Sequence, residues 1–440
     1  MADSHVAAEM ELNAVQAPTF SEALRIWARI GLLSFGGPTA QIALMHRVLV
    51  DEKKWLSEQQ FLNALSFCML LPGPEAMQLA TYAGWRQHGV KGGLAAGLLF
   101  VLPGALLIFA LAATYAAFGK LTLVQTIFFG IKAAVLIIVI EALLRVAKRA
   151  LHKPIHWWLA AFSFIAIFFL SLPFPLVIVA AAAAGFFLTG EESSAEQTTS
   201  PAKVDPLRTL KTVGAWLLIW WVPLAAVALI VGGDHVLTEL GVFFSKLAVV
   251  TFGGAYAVLA YMAQEVVQHH GWLNAGEMLD GLGLAETTNG PLILVTEFVG
   301  YLAAYRFGEG PPMVMGVVGA LITLWVTFTP CFLWIFAGAP YIERLQALPR
   351  LRGALSGVTA AVVGVILNLS VWFGLHVFFG TVDKAEAGPL TLWIPDVTTL
   401  DWAALALAAI SALALFRFHL SLAWTLALAA GLALAWHMLL

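Results

Sequence analysis

Charge is scarce in this sequence. Only 11% of its 440 residues are Asp, Glu, Lys or Arg, against about 25% in an ordinary soluble domain. With 61% hydrophobic residues and a mean hydropathy of +0.88, a water-exposed globule is excluded and a polytopic membrane protein is implied. Cysteine is nearly absent: Cys68 and Cys331 stand far apart in apolar surroundings, which excludes a disulfide framework or zinc site and leaves two buried small hydrophobes. No long basic run offers a nucleic-acid surface. The opening stretch, MADSHVAAEMELNAVQAP, lacks the basic and then apolar order of a signal peptide, so a loose cytosolic tail is expected. Also missing are a Gly-rich phosphate loop ending in Lys-Ser/Thr, an HExxH helix and a nucleophile elbow. These absences argue against an enzyme, a cofactor and a bound metal. They leave ion gradients or the membrane potential as the energy source.

What is present is a long series of apolar segments. Nine are uninterrupted: 94–118, 123–148, 155–171, 173–189, 208–232, 311–337, 353–378, 398–418 and 420–440. The pairs around Ser171-Leu172-Pro173 and Phe418-His419 are short, as tight helical hairpins would be. Residues 190–206, GEESSAEQTTSPAKVDP, have a linker's composition. The expected division is a tail at 1–19, a first membrane repeat at 20–189, a linker at 190–207, a connecting helix at 208–232 and a second membrane repeat at 233–440.

Four further apolar segments are broken: 20–50 at Phe35-Gly36-Gly37-Pro38, 58–88 at Pro72-Gly73-Pro74, 237–267 at Phe252-Gly253-Gly254, and 276–306 at Asn289-Gly290-Pro291. With Phe20 laid on Leu237, the first two fall on the last two without a gap as far as Pro74 on Pro291, and 14 of 55 columns are identical. Arg29 meets Lys246, Trp55 meets Trp272, and both glycine loops keep register. Shared apolar composition does not place two loops, a cation and a tryptophan in one register, so the chain is an internal duplication. Whether the broken segments cross or re-enter, an odd number of crossings separates the copies and the second is upside down. The fold expected is an all-α polytopic membrane protein built of inverted tandem repeats with discontinuous helices, about 13 segments arranged 6+1+6. Arg86, Lys91, the run Arg145–Lys153, Lys203 to Lys211, Arg344, Arg350 and Arg352 fall on one side. Lys120, Lys384 and the acids Asp383, Glu386 and Asp396 fall on the other, so the N-terminus is expected in the cytoplasm and the C-terminus outside.

Broken backbone at membrane depth is tolerated only where protein or a water-filled cavity covers it. Each new half-helix opens with unsatisfied N–H groups and roughly half a positive charge, an anion receptor. The expected oxyanion site therefore comprises Gly36, Gly37, Pro38, Gly73, Pro74, Gly253, Gly254 and Gly290, with Thr287, Thr288, Asn289 and Gln78 as neutral donors. Arg29 and Lys246, two helical turns before their glycine loops, are expected at or beside the pathway, and neutralising either is expected to reduce transport. Arg25 and Arg47 are pathway cations or snorkelling interfacial ones. Glu75, Glu286 and His46 are the coupling candidates; Glu75 is also placed to cap its helix.

FGGPTAQIALMHR, WLSEQQFLNALSFCMLLPGPEAMQLATYAGW, TFGGAYAVLAYM and GLGLAETTNGPLILVTEFVGYLAAY together resemble the chromate ion transporter family in its long, duplicated form, over most of 20–125 and 237–335. The resemblance implies a bacterial inner-membrane carrier that exports chromate, a divalent tetrahedral oxyanion like sulfate, and confers resistance. The family's motifs fall on Gly36, Gly37, Pro38, Pro72, Gly73, Pro74, Glu75, Gly253, Gly254, Gly290 and Pro291. Asn289 stands where the family usually has proline, and Val48 where it commonly has an acid after the His-Arg pair. The partners implied are chromate, sulfate as a competitor, and the lipid bilayer; a homodimer is left open. The alternatives are transport of sulfate or another oxyanion, import, and an anion channel. A chromate reductase would need a redox cofactor motif or paired reactive thiols, and neither is present.

Overall fold

The computed structural model describes residues 18–188, 205–252, 255–342 and 348–439. Nearly all of the expected tail and linker, with Gly253, Gly254 and Arg344, lie outside them. The described chain is mostly helical. Helix α1 (Phe20–Leu33) is followed by α2 (Gly37–His46), which runs into a π-helical turn at Arg47–Glu52. Then come α3 (Glu58–Cys68), α4 (Glu75–Phe118), α5 (Thr122–Ala150), α6 (Pro154–Phe168) and α7 (Phe174–Leu188). From residue 205 onward, α8 (Pro206–Val231) precedes α9 (Val236–Val250) and α10 (Ala255–Gln264), which again ends in a π turn, Glu265–His269. The series continues with α11 (Ala275–Thr287), α12 (Val295–Phe307), α13 (Pro312–Gly338) and α14 (Pro349–Phe378). It closes with α15 (Trp402–Ala412) and α16 (Leu422–Leu439).

Five of these helices are long and apolar enough to cross a bilayer: α4, α5, α8, α13 and α14. The segments expected at 155–171, 173–189, 398–418 and 420–440 form shorter apolar helices. A helix of 15 residues, such as α6 or α7, is about 22 Å long, less than the roughly 30 Å hydrocarbon layer. Each short pair packs instead on a long helix from the other half of the chain, α6 and α7 on α14, and α15 and α16 on α5. Helices α5 and α14 also touch each other, so the two halves interlock at the centre. Small residues allow the close approach: a Cβ on Gly185 would run into the Gly353 carbonyl, and one on Gly130 into that of Ala429.

The broken segments double back. Glu22, near the start of α1, pairs with Lys53 at 2.9 Å, and the rings of Phe20 and His88 lie 5.4 Å apart. The first broken segment therefore starts and finishes at one end of the molecule, where the second also finishes. Helix α4 itself reverses at His88 and Gly89 (φ +60°), and its second arm returns along the first with Gly93 and Gly97 against Thr81. In the second half, the Phe243 ring lies 5.4 Å from His270 and 5.8 Å from Trp272, which brings the chain leaving the π turn after α10 back beside the middle of α9.

Local signals recur in the register of the duplication. Ser57 and Gln60 close a capping box on α3, and Asn274 and Glu277 close the corresponding one on α11. Trp55 N–H donates to the Leu49 carbonyl at 2.7 Å, and Trp272 N–H to Val266 at 3.0 Å. Removal of either cap, by Ser57→Ala or Asn274→Ala, is expected to cost about 1 kcal/mol, read as a lower midpoint of thermal unfolding in detergent.

An all-α fold is expected from the sequence, and the structure adds one hairpin to it. Strand β1 (Val382–Ala387) runs antiparallel to β2 (Leu390–Pro395), with Val382 opposite Pro395 and the left-handed Gly388 in the turn. Thr391 N–H donates to the Phe169 carbonyl at 2.7 Å, so the hairpin is seated on the turn between α6 and α7. The run Leu-Thr-Leu-Trp-Ile after Gly388-Pro389, with its β-branched and aromatic residues, is a strand signal, hidden in a stretch too polar to count as a span.

Candidate functional site

The breaks are where the two halves hold each other. Helix α1 stops at Ser34; Gly36 (φ +85°) and Gly37 (φ +75°) then turn the chain into α2 through backbone that L side chains rarely adopt. Helix α3 stops at Met69, and Gly73 (φ +119°) and Pro74 lead into α4. In the second half α9 stops at Thr251, and α11 gives way at Gly290 (φ +87°) to a 3₁₀ turn, Leu292–Leu294, before α12. Gly73 N–H donates to the Thr251 carbonyl at 2.9 Å, and Gly290 N–H donates to Ser34 at the same distance. The duplication pairs Ser34 with Thr251 and Gly73 with Gly290. The two bonds are thus one bond made twice, each joining the first loop of one half to the second loop of the other.

Side chains reinforce the lattice. Gln41 Nε2 donates to the Gly290 carbonyl at 2.6 Å, Asn289 Nδ2 to Gly31 at 3.2 Å, and Gln78 Nε2 to Pro72 at 2.7 Å. Two cavities open beside it. The first, about 370 Å³, has in its wall Pro38 and Thr39 from the opening turn of α2, Gly73 and Glu75 from the opening of α4, and Tyr256. The second, about 720 Å³, is lined by Phe35 and Gly36 from the first break and Glu286 and Thr287 from the fourth. Arg145 of α5 lines both.

Arg145 belongs to a stripe. Glu141, Arg145 and Lys148 or Arg149 follow at helical spacing along the end of α5, His152 comes just beyond it, and all of them line one cavity or the other. Arg145 Nε donates to Glu141 Oε1 at 3.2 Å, and a second guanidinium nitrogen meets Glu141 Oε2. Across the cavity Tyr256 Oη donates to the buried Glu286 at 2.7 Å. His156 Nε2 sits 3.2 Å from the Ser356 hydroxyl. Two helix N-termini and several cations therefore surround a space large enough for a small anion. Glu75 supplies a carboxylate to the first cavity, and Glu141 and Glu286 supply theirs to the second.

One family model, that of the chromate transporter, matches residues 21–186 and again 238–435. The chain belongs to the chromate transporter family. The two matches begin at Ser21 and Thr238, which the register of the glycine loops pairs with each other. This family member is 30% identical over 361 residues to a chromate transport protein of Cupriavidus metallidurans, covering 80% of this chain and 82% of that one. It is 32% identical over 368 residues to a chromate transport protein of Pseudomonas aeruginosa, covering 82% of each. A probable chromate transport protein of Synechococcus elongatus is 28% identical over 365 residues, 82% of this chain and 86% of that one. No solved structure matches it.

In this chromate transporter family member the expected site residues divide into three groups. Gly36, Pro38, Gly73, Glu75, Glu286 and Thr287 line the cavities, and Gly37 and Pro74 adjoin them in the same loops. Thr288, Asn289, Gly290 and Gln78 are buried in the lattice, where Asn289 and Gln78 each give one amide hydrogen to a carbonyl, Thr288 Oγ1 donates to Ala285 at 3.1 Å, and Thr287 Oγ1, though at a cavity wall, donates to Leu284 at 2.8 Å. These bonds shape the loops. Gly253 and Gly254 lie outside the described residues.

The third group lines neither cavity. Arg29, its side chain 52% exposed, faces Glu52 at 3.6 Å, and Arg47 meets the same carboxylate at 3.6 Å. Arg25 and Lys246 are exposed, and His46 is held by Glu58 at 2.7 Å and Asp51 at 3.5 Å. Because the first broken segment doubles back, two turns before Gly36 means further down the outer face of α1, not deeper into the site. Arg145, Glu141 and Tyr256 are absent from the site expected on sequence. The run Arg145–Lys153 reads there as topology charge, although its spacing along one face of α5 is a usable signal.

Proposed function

We propose that this protein is a secondary transporter that exports chromate across the bacterial inner membrane by alternating access. The cavity at the crossed breaks carries the proposal: opening turns of α2 and α4 from one half and Tyr256 from the other face a common space beside Arg145. A doubly charged oxyanion there meets two electropositive helix ends and a guanidinium, with little side-chain ordering left to perform. The names of the relatives favour chromate over sulfate as cargo.

The wider arrangement we propose is an inverted repeat of six segments, one linking helix and six segments, divided at 20–189, 190–207, 208–232 and 233–440. The reciprocal Gly73–Thr251 and Gly290–Ser34 bonds and the double family match support it. In it the broken segments re-enter, and the stripe ending at His152 opens to the cytoplasm with the other basic loops. The N-terminus is then cytoplasmic and the C-terminus periplasmic. A dianion leaving a negative-inside cell gains roughly 4.6 kcal/mol per 100 mV, so the membrane potential suffices to drive export. Proton exchange at Glu75 or Glu286 is the added coupling to test. Resistance to chromate follows from export.

The test is chromate flux in inverted vesicles, with potential and pH gradient imposed separately and sulfate as competitor. Accumulation driven by an inside-positive potential, accelerated by chromate on the far side, is the expected result. Flux without trans-acceleration would indicate a channel, and a preference for sulfate would reassign the cargo. In the same assay Glu75→Gln is expected to abolish any response to the pH gradient while potential-driven uptake persists.

A further inference from the structure

A third cavity, about 760 Å³, opens at the opposite end of α5, where Lys120, Lys132, Glu277, Asp280 and Arg306 face a common space. It is separated from the Arg145 cavities by a closed layer: every residue from Ala133 to Val139 on α5 is buried. Lys132 and Arg145 are about 20 Å apart along the helix axis.

The charges in this cavity are not equally committed. Glu277 receives both terminal nitrogens of Arg306, at 2.9 and 2.6 Å, while closing the capping box of α11. Asp280 is different. Its side chain is 4% exposed, Tyr115 Oη donates to Oδ2 at 2.7 Å, and Lys132 Nζ lies 3.4 Å from Oδ1. That last contact is an ion pair without hydrogen-bond geometry, so the buried Oδ1 accepts no hydrogen bond. The Lys132 ammonium is thus held by one long charged contact, beside the open backbone of Gly276, where a Cβ would come within 3.0 Å of Nζ. Lys120 has its ammonium group exposed at the cavity rim, and Lys132 is covered by a single carboxylate at the long distance of 3.4 Å.

We infer that this cavity is a second oxyanion subsite on the side of the membrane bearing Lys120. In it Asp280 is a built-in counter-anion that a tetrahedral dianion displaces from Lys132. This rests on the transport reading above and places the other end of the path. An anion entering from the Arg145 side reaches Lys132 once the layer between them opens. The return of Asp280 to Lys132 expels it and leaves the empty cavity neutral at that point. Tyr115 is a positioning residue that keeps the carboxylate within reach while it is displaced.

The test uses Gln125, an exposed residue at the cavity rim. Gln125→Cys is labelled in whole membranes by an impermeant maleimide added from the Lys120 side, with chromate or sulfate as protectant. Protection is expected with the wild-type cavity. Asp280→Asn is expected to lower the half-protecting concentration about tenfold and Lys132→Met to raise it about tenfold. Lys132→Arg, which keeps the charge, is expected to stay within about threefold. Equal half-protecting concentrations in all variants, or none at oxyanion levels that saturate flux, would overturn the inference. If Lys132→Met does not reach the membrane, the direction of the Asp280→Asn shift decides alone. Protection with no chromate flux in the parent protein would remove the transport reading and leave the subsite standing.

Discussion

Arg145→Gln is expected to lower chromate flux at limiting substrate by about 100-fold, with the protein still folded and inserted. Arg145 is the one side chain common to both cavities beside the breaks. Its contacts with Glu141 engage Nε and one terminal nitrogen. A guanidinium has five donors in a fixed fork, so the remainder can face an oxyanion. Removing one partner of a desolvated charge pair costs about 2–5 kcal/mol, and each 1.4 kcal/mol is a factor of ten. The lower part of that range applies because the site is open to water. Arg145→Lys keeps the charge but not the planar fork, and an intermediate loss of about tenfold is expected. Arg29→Gln and Lys246→Gln, whose side chains lie outside both cavities, are expected to change flux no more than about threefold. Vesicle flux at several chromate concentrations, with sulfate competition, separates loss of affinity from loss of turnover. Wild-type flux in Arg145→Gln would remove the stripe on α5 from the site.

The glycine-proline loops are legible in the sequence because positive-φ glycine and helix-initiating proline are local demands, and local demands leave local letters: Gly36, Gly37, Gly73 and Gly290 all have positive φ. The common spacing of the two pairs of loops is legible for the same reason. The path of the chain between the loops is not. The doubling-back of α1 on α2 depends on long-range pairs such as Glu22 with Lys53, which a single sequence does not announce. That one unknown leaves Arg29 and Lys246 outside both cavities: where α1 doubles back, the face shared with a break runs down the outside. The π turns at Arg47–Glu52 and Glu265–His269 have no known letter pattern either, although the matched Trp55 and Trp272 mark where each one ends. Arg145 is visible in the sequence but reads as serving a different task. A basic run beside a span satisfies the positive-inside rule whether or not it also lines a cavity, and composition does not separate the two.

Gly73→Leu is expected to abolish flux, to below about 1% of the parent. The reason is partly steric and partly a matter of backbone. At φ +119° a side chain is already strained, and a Cβ would lie 2.9 Å from Cys331 Sγ and 2.8 Å from Gln78 Nε2. Left-handed backbone costs an L residue about 1–2 kcal/mol, and overpacking a filled site adds about 1–3 kcal/mol. Relief requires the loop to move, which breaks the Gly73–Thr251 hydrogen bond between the halves. The counterpart position is softer. A Cβ on Gly290 meets the end of the Leu294 side chain at 3.0 Å and the Gly104 Cα at 3.5 Å, and leucine can turn away. Gly290→Ala is therefore expected to retain more flux than Gly73→Ala, by about tenfold, despite the matched motif. Cys331→Ala removes one of the two atoms that crowd Gly73 and is expected to restore part of the flux lost in Gly73→Ala, while doing nothing for Gly290→Ala. Full flux in Gly73→Leu would mean that this loop is not a wall of the path. Equal rescue of both alanine variants would mean that Cys331 acts on the fold as a whole rather than on the loop it touches.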